Sequence, residues 1–597
     1  MNNRLVRSLL MWLTCVAWPA AAQAPPEAAE SQRLHSLFER NWEEVAREFP
    51  EWATFRGDHR YGDRFADASD AAVERRKAWM ARSLAEARSL RRETLPAIDR
   101  TSLDLFIYNL EQQLRMNEFD GYQRLSLGSS FGFQSRLAGL LRASPTDTAA
   151  QAEAILARLA AYPKRVDQEI ERLRGGMQQG YVTPRPVLER SLAQLDAQLN
   201  APAKTGPFFE PFTRLRAPLA AAERQALQAR AVQSIEAHVL AAKKKLRAFI
   251  VDEYLPAAPA AGGLLRYPRG DLIYAEIAHQ QTTTDLTPRQ IHDLGLREIT
   301  RLRGEIAAVM REMKFDGSFA QFVEQLNSDP KYFHASPDAL LAAYQQLGKR
   351  LDAEMPRLFA ELPRAPYGVR AMPAHLGAGA ADNYSAPPAD GSAPGWFNAN
   401  VLAYQRRPTW AMATLVAHET VPGHHLQSAR ARELGTLPQF RRQTGYTAYS
   451  EGWALYAETL GREIGLYDDP ATRFGHLQAQ ALRAARLVVD TGLHALGWSR
   501  QQAIDYMVAE VARDPVFVES EVDRYLSQPG QALAYMVGQL KISDLRQRAA
   551  ATLGARFDLR RFHNVLLDSG PLPLAVLERH VDEWIGAQAA AARGTPQ

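Results

Sequence analysis

The chain has 597 residues, 46% hydrophobic and 23% charged, with a formal charge of +4. Discounting Arg4 and Arg7, the charged residues of the first 24, leaves +2, which argues against a nucleic-acid binder with its strongly basic face. The single cysteine is Cys15; it falls in a leader, so a thiol mechanism is excluded for the mature chain.

Residues 1–24 read as a cleaved signal peptide: a basic start, an apolar run from Leu9 to Trp18 and the small residues Ala20 to Ala24. The run is too short to span a bilayer, Trp12-Leu13-Thr14 is a poor lead-in for lipid attachment to Cys15, and no later stretch reaches about twenty apolar residues. The sequence therefore predicts a periplasmic or secreted protein without a stable membrane anchor. A bacterial periplasm accommodates an exported enzyme that has no disulfide.

Helical spacing of apolar residues marks Ala149 to Leu159 and Pro186 to Leu199, the second with Val187, Leu188, Leu192 and Leu195 on one side. The loop Pro256 to Gly263 is the best boundary, dividing a helical scaffold or lid at 25–260 from a catalytic region at 261–597; the two halves are expected to form one compact unit. Beyond it, Thr287-Pro288-Arg289-Gln290 is a helix start with a capping Thr, Pro at the first helical position and Gln at the third. Its helix carries Ile291, Leu294, Ile299 and Leu302. From Gly368 to Val401, Gly, Pro, Ala and Asn break the helical pattern and predict a small sheet.

Next comes His418-Glu419-Thr420-Val421-Pro422-Gly423-His424-His425. In H-E-x-x-H, two histidines one helical turn apart reach one zinc ion and the Glu activates water. Here Pro422 occupies the second histidine's place. His425 returns to the same face seven residues on, but about 10 Å along the axis, too far for a straight helix. Pro422-Gly423 predicts a bulge. If it absorbs two extra residues, His424 becomes the second ligand and His425 stands behind it or leans toward substrate; the choice between them stays open. The bland alternative is a helix end with three incidental histidines.

A third ligand is needed, and Glu451 is the candidate, in Thr447 to Glu458, where residues 451, 455 and 458 share a helical face. Glu458 suits the part of an orienter for a ligand histidine. Residues 396 to 400, just upstream, would supply either an exposed strand edge that pairs with a substrate backbone or a hairpin that covers the site.

These residues carry a resemblance. The chain resembles the bacterial domain-of-unknown-function 885 family, whose hallmark is His-Glu-x-x-Pro-Gly-His-His followed by Glu-Gly-Trp-Ala. Both runs stand here, at 418–425 and 451–454. The likeness extends from Thr54-Phe55-Arg56-Gly57 and Asp67-Ala68-Ser69 to Gln528-Pro529-Gly530-Gln531-Ala532 and Tyr535. The family is similar to helical zinc peptidases of the thimet oligopeptidase and Taq carboxypeptidase types. The resemblance implies a mainly α fold around a substrate channel, Zn2+ as cofactor and a peptide as substrate.

On that basis His418, His424 and Glu451 hold zinc and Glu419 acts as general base. Tyr535 and His494, at positions matched by the family pattern, are candidates for the oxyanion donor, with Asp490 one turn before His494 to fix its imidazole. Arg524 and Arg546 could offer a cation to a peptide C-terminal carboxylate, but surface arginines are far commoner and neither is counted in the catalytic set. Two other functions stay open: a non-catalytic periplasmic metal- or ligand-binding protein, and an amidase acting on cell-wall peptides. Retention of Glu419 favours the peptidase, because a storage site needs no general base beside its ligand.

Overall fold

The computed structural model describes residues 26–591 apart from 129–131, 216–218, 261, 374–380, 389–390 and 392. The leader at 1–24, with Cys15, lies outside the described residues.

Local signals start the helices where expected. At Thr287 the side chain accepts the Gln290 N–H while the Gln290 side chain accepts the Thr287 N–H, and Pro288 opens α1 (Pro288–Glu312). The same reciprocal cap at Thr148 opens the helix Ala149–Gln178. It runs well past Leu159 and through Pro163, because Tyr162, Val166, Ile170 and Leu173 continue the buried stripe. The helix Arg185–Asn200 buries Val187, Leu188 and Leu195.

Three apolar cores organise the described residues. One gathers residues from Leu34 to Leu110, a second those from Leu127 to Tyr254, and the third runs from Leu264 to Ile585 and recruits Leu105, Phe119 and Tyr181. Between the second and third lies the Pro256 to Gly263 segment, and its end is docked rather than free. A Cβ on Gly263 would sit 1.7 Å from the Leu493 carbonyl oxygen, and the adjoining Leu264 N–H bonds to His494 Nδ1 at 3.2 Å.

The third core is built around the site. Among its helices are α1, α2 (Met412–Glu419), α3 (His424–Glu433), α4 (Thr447–Thr459), α5 (Pro470–Ala495), α6 (Pro515–Ser527) and α7 (Ala534–Leu553). Helix α5 is the axle, buried on nearly every side from Phe474 to His494. Two glycine contacts set how its neighbours pack. On α1, a Cβ at Gly295 would meet Leu487 and Val488 of α5 at 2.8 Å. Between α4 and α7, a Cβ at Gly452 would lie 2.5 Å from Gly538 Cα. The second contact brings two backbones together one residue from Glu451 and three from Tyr535.

A three-stranded sheet precedes α2, with β1 (Tyr367–Ala371), β2 (Asn383–Ser385) and β3 (Gly395–Ala399) in the order β1-β3-β2. β3 runs parallel to β1, with Tyr367 opposite Gly395, and antiparallel to β2, with Asn383 opposite Asn398. This corrects the expected exposed edge at 396–400; the alternative of a hairpin is met by the antiparallel pairing of the consecutive strands β2 and β3. Strand β3 is central, paired on both sides, with Phe397 and Ala399 fully buried, whereas β1 and β2 carry the exposed positions. Strand order depends on where the long 372–394 connection leads, which local residue pattern does not encode.

Candidate metal centre

In an uninterrupted helix the Gly423 N–H would bond to the Glu419 carbonyl. It bonds instead to the Ala417 carbonyl at 2.9 Å, two residues farther back, and the His425 N–H bonds to Thr420 at 3.0 Å. The break between α2 and α3 thus absorbs two extra residues. Glycine is required at 423, where a Cβ would lie 2.0 Å from the His418 carbonyl oxygen. Trp453 fastens the break from α4, its indole N–H donating to the Pro422 carbonyl at 3.0 Å. The run Glu451-Gly452-Trp453 therefore combines a carboxylate at the site, a close helix contact and the clasp of the bulge.

As a result, His418 and His424 meet Glu451. Glu451 Oε2 lies 3.6 Å from His418 Nε2 and 3.4 Å from His424 Nε2, and the two rings stand at 84° with centroids 4.7 Å apart. One donor atom from each residue lies within 4.8 Å of the others. Tetrahedral zinc with bonds of about 2.1 Å keeps adjacent donors about 3.4 Å apart, so these residues fit the ion. Glu451 Oε2 is buried with no hydrogen-bond donor, an arrangement that costs free energy unless a cation faces it.

Glu458 stands behind His418, as expected for an orienter. The imidazole Nδ1–H donates to Glu458 Oε1 at 2.8 Å, which leaves Nε2 for the cluster. Glu458 is itself fully buried and held by Thr414 Oγ1 at 2.7 Å and Gln480 Nε2 at 3.2 Å. Burial would raise its pKa, but Arg483 and His418 outweigh that and hold it at about 2. His418 is likewise pushed down by burial, yet Glu451 and Glu458 carry it to about 9. Glu419 is buried beside them; burial raises its pKa and His418 and His424 lower it, with Asp382 and Glu451 as acidic neighbours.

Tyr535 reaches the same place from α7. Its hydroxyl accepts from Gln531 Nε2 at 3.4 Å, Arg486 lies 4.6 Å over its ring, and burial followed by the negative charge of Glu451 raises its pKa.

The structure turns the remaining candidates away. His425 receives the Tyr384 hydroxyl on Nδ1 at 2.9 Å and donates from Nε2 to the Ala365 carbonyl at 3.0 Å. It braces β2 and the chain before β1, while Tyr384 also stacks on His424 with centroids 6.4 Å apart. His494 is not an oxyanion donor: Nδ1 accepts the Leu264 N–H and Nε2–H donates to the Tyr525 carbonyl at 3.1 Å. Nor does Asp490 hold His494. Its Oδ1 accepts the Tyr274 hydroxyl at 2.6 Å and the Gly530 N–H at 2.9 Å. One turn of separation permits the pair, but buried donors from other elements claim the carboxylate. Asp490 thereby fixes the Gln528 to Ala532 turn from which α7 and Tyr535 start. Arg546 pairs with Glu463, while Arg524 joins buried groups near Tyr535.

A feature of α5 escaped the sequence reading. His476, Gln480, Arg483, Arg486, Asp490 and His494 are spaced three or four residues apart and share one face of a mostly buried helix. That polar stripe was available as a signal: a largely apolar helix is a core helix, where polar residues require partners.

A family model for "Bacterial protein of unknown function (DUF885)" matches residues 50–581. No curated protein matches. Among solved structures, "the putative lipoprotein from Colwellia psychrerythraea" is 27% identical with a TM-score of 0.87, over 94% of this chain and 99% of that one. A "putative lipoprotein of unknown function from Shewanella oneidensis" is 18% identical with a TM-score of 0.73, over 93% and 99%. The chain folds as these proteins do, and it belongs to the DUF885 family of bacterial proteins.

Proposed function

We propose that the protein is an exported, zinc-dependent peptidase that hydrolyses small peptides. The observation that carries this reading is the convergence of His418, His424 and Glu451 on one point, with the buried Glu419 beside them. Bound there, zinc supplies Lewis-acid polarisation of the scissile carbonyl and makes water more acidic. Glu419 takes the proton of the attacking water and passes it to the leaving amine. The Tyr535 hydroxyl donates a hydrogen bond to the oxygen on which negative charge develops. Glu458 keeps the His418 ring in the orientation that presents Nε2.

Export is part of the proposal. The leader-like first 24 residues and the description of both related structures as lipoproteins support it. Among the described residues no helix is long and apolar enough to cross a membrane.

The test is metal content of the purified protein together with turnover of a mixed peptide library by wild type and Glu419→Gln. The expected result is one zinc per chain in both proteins and a rate lower by about 10²–10⁴-fold in the variant. Zinc retention with no turnover by wild type would favour a metal-binding protein instead, and a folded chain that takes up no zinc would overturn the proposal.

A further inference from the structure

Beside the metal centre lies a second charged cluster that hydrolysis as described does not use. Arg483 and Arg486 come from the polar stripe of α5 and Arg524 from α6; Arg407 precedes α2 and Arg513 precedes α6. Three carboxylates face these five guanidinium groups. Glu458 is 3.5 Å from Arg483, Glu521 is 2.8 Å from Arg486 and 3.0 Å from Arg524, and Asp382 pairs with Arg407.

Each of these carboxylates also has other ties. Glu458 accepts from His418, Glu521 accepts the Tyr525 hydroxyl at 2.7 Å, and Asp382 accepts the Asn400 N–H at 2.8 Å. Arg513 stands among the like charges of Arg483, Arg486 and Arg407 and the carboxylate of Glu521, with its guanidinium 5.6 Å from the Phe517 ring centroid. Burial and these like charges lower its pKa to about 10. The Nε–H groups of Arg483 and Arg513 are buried without an acceptor. Arg486 is buried and the other four are partly buried; among the described residues Arg513 is the one of the five without a carboxylate within salt-bridge distance, and a partly desolvated charge left so costs stability. An incoming anion removes that penalty.

The cluster adjoins the metal centre at two points. Glu458 lies between Arg483 and His418, and Arg486 covers the ring of Tyr535. A peptide whose scissile carbonyl sits between Glu419 and Tyr535 would extend one end toward these arginines. Planar guanidinium forks match a carboxylate in two-pronged geometry.

We propose that Arg513, together with Arg483 and Arg486, binds the C-terminal carboxylate of the substrate, so that the protein trims peptides from that end. The proposal rests on the peptidase reading. It predicts that the zinc-loaded wild type cleaves penta-alanine near its free C-terminus with a kcat/KM at least 100-fold above that for its C-terminal amide. Arg513→Met should lower kcat/KM for the free acid 10-fold or more, chiefly through KM, and leave the amide nearly unchanged; Arg513→Lys should recover part of the loss. In calorimetry, zinc-loaded Glu419→Gln should bind tri-alanine at least 10-fold tighter than tri-alanine amide.

Equal cleavage of acid and amide would overturn the carboxylate site while leaving the peptidase standing. So would a C-terminal Asp-amide peptide that is cut as fast as the free acid, because a side-chain carboxylate would then be the group recognised. Cleavage of no peptide by wild type would count against the peptidase, and the calorimetric preference would still decide the carboxylate site, its absence overturning it. If Arg513→Met fails to fold, the acid-against-amide comparison in wild type carries the test.

Discussion

Two histidines in the same core, His418 and His494, are 4% and 1% exposed, yet their surroundings act on them in opposite directions. Both lose solvation, which favours the neutral ring. Around His418 the carboxylates of Glu451 and Glu458 overturn that and bring the pKa to about 9. Around His494 the partners are backbone groups of Leu264 and Tyr525, and burial leaves the pKa at about 4. One ring has a nitrogen directed at two other potential ligands; the other spends both nitrogens tying chain segments to α5. Burial alone therefore does not mark a functional histidine, and the atom each nitrogen faces does.

Four substitutions test that division, in decreasing order of effect. Glu451→Ala removes a proposed ligand and should weaken zinc binding about 1000-fold, as competition with a chelating dye would show. Asp490→Asn addresses the architectural side. Burial raises the Asp490 pKa to about 7, above the unfolded value, so its stabilising contribution is complete below about pH 4 and is lost as pH rises through 7. Urea unfolding of the wild type should lose on the order of 3 kcal/mol across that window. The variant, which still accepts from Tyr274 and Gly530, should lose much less; equal slopes would refute the assignment. Glu458→Ala frees the His418 ring and should cost about 10–100-fold in zinc affinity. If it matched Glu451→Ala, Glu458 would be a ligand rather than an orienter. Finally, His494→Gln should lower stability by about 1–3 kcal/mol through unpaired backbone groups while leaving zinc affinity within about twofold.

Much of the site could be read before the fold was known, because its information is local. The count from His418 to His424 set the two-residue bulge, and the spacing of Glu451 and Glu458 on one helix put one carboxylate at the cluster and the other behind His418. The capping residues at Thr287 worked for the same reason. What failed depends on contacts far along the chain. Asp490 lies one turn from His494, but Tyr274 and the Gly530 backbone take its oxygens. The choice between His424 and His425, left open by the sequence, likewise turns on distant groups, since Tyr384 and the Ala365 carbonyl engage both nitrogens of His425. The centrality of Gly395 to Ala399 follows from the pairing of β3 with both β1 and β2, across a connection no local rule describes. Within Glu-Gly-Trp-Ala the part of Gly452 has no local signal, and its approach to Gly538 explains why a larger residue does not fit.

The central claim is that the bulge makes His424, not His425, the partner of His418 and Glu451. A crystal structure of the zinc-soaked protein, with anomalous scattering measured at the zinc edge, tests it directly. The account predicts one strong peak about 2.0–2.2 Å from His418 Nε2, His424 Nε2 and a Glu451 oxygen. A peak bonded to His425, or none at this cluster in a zinc-saturated crystal, would contradict it.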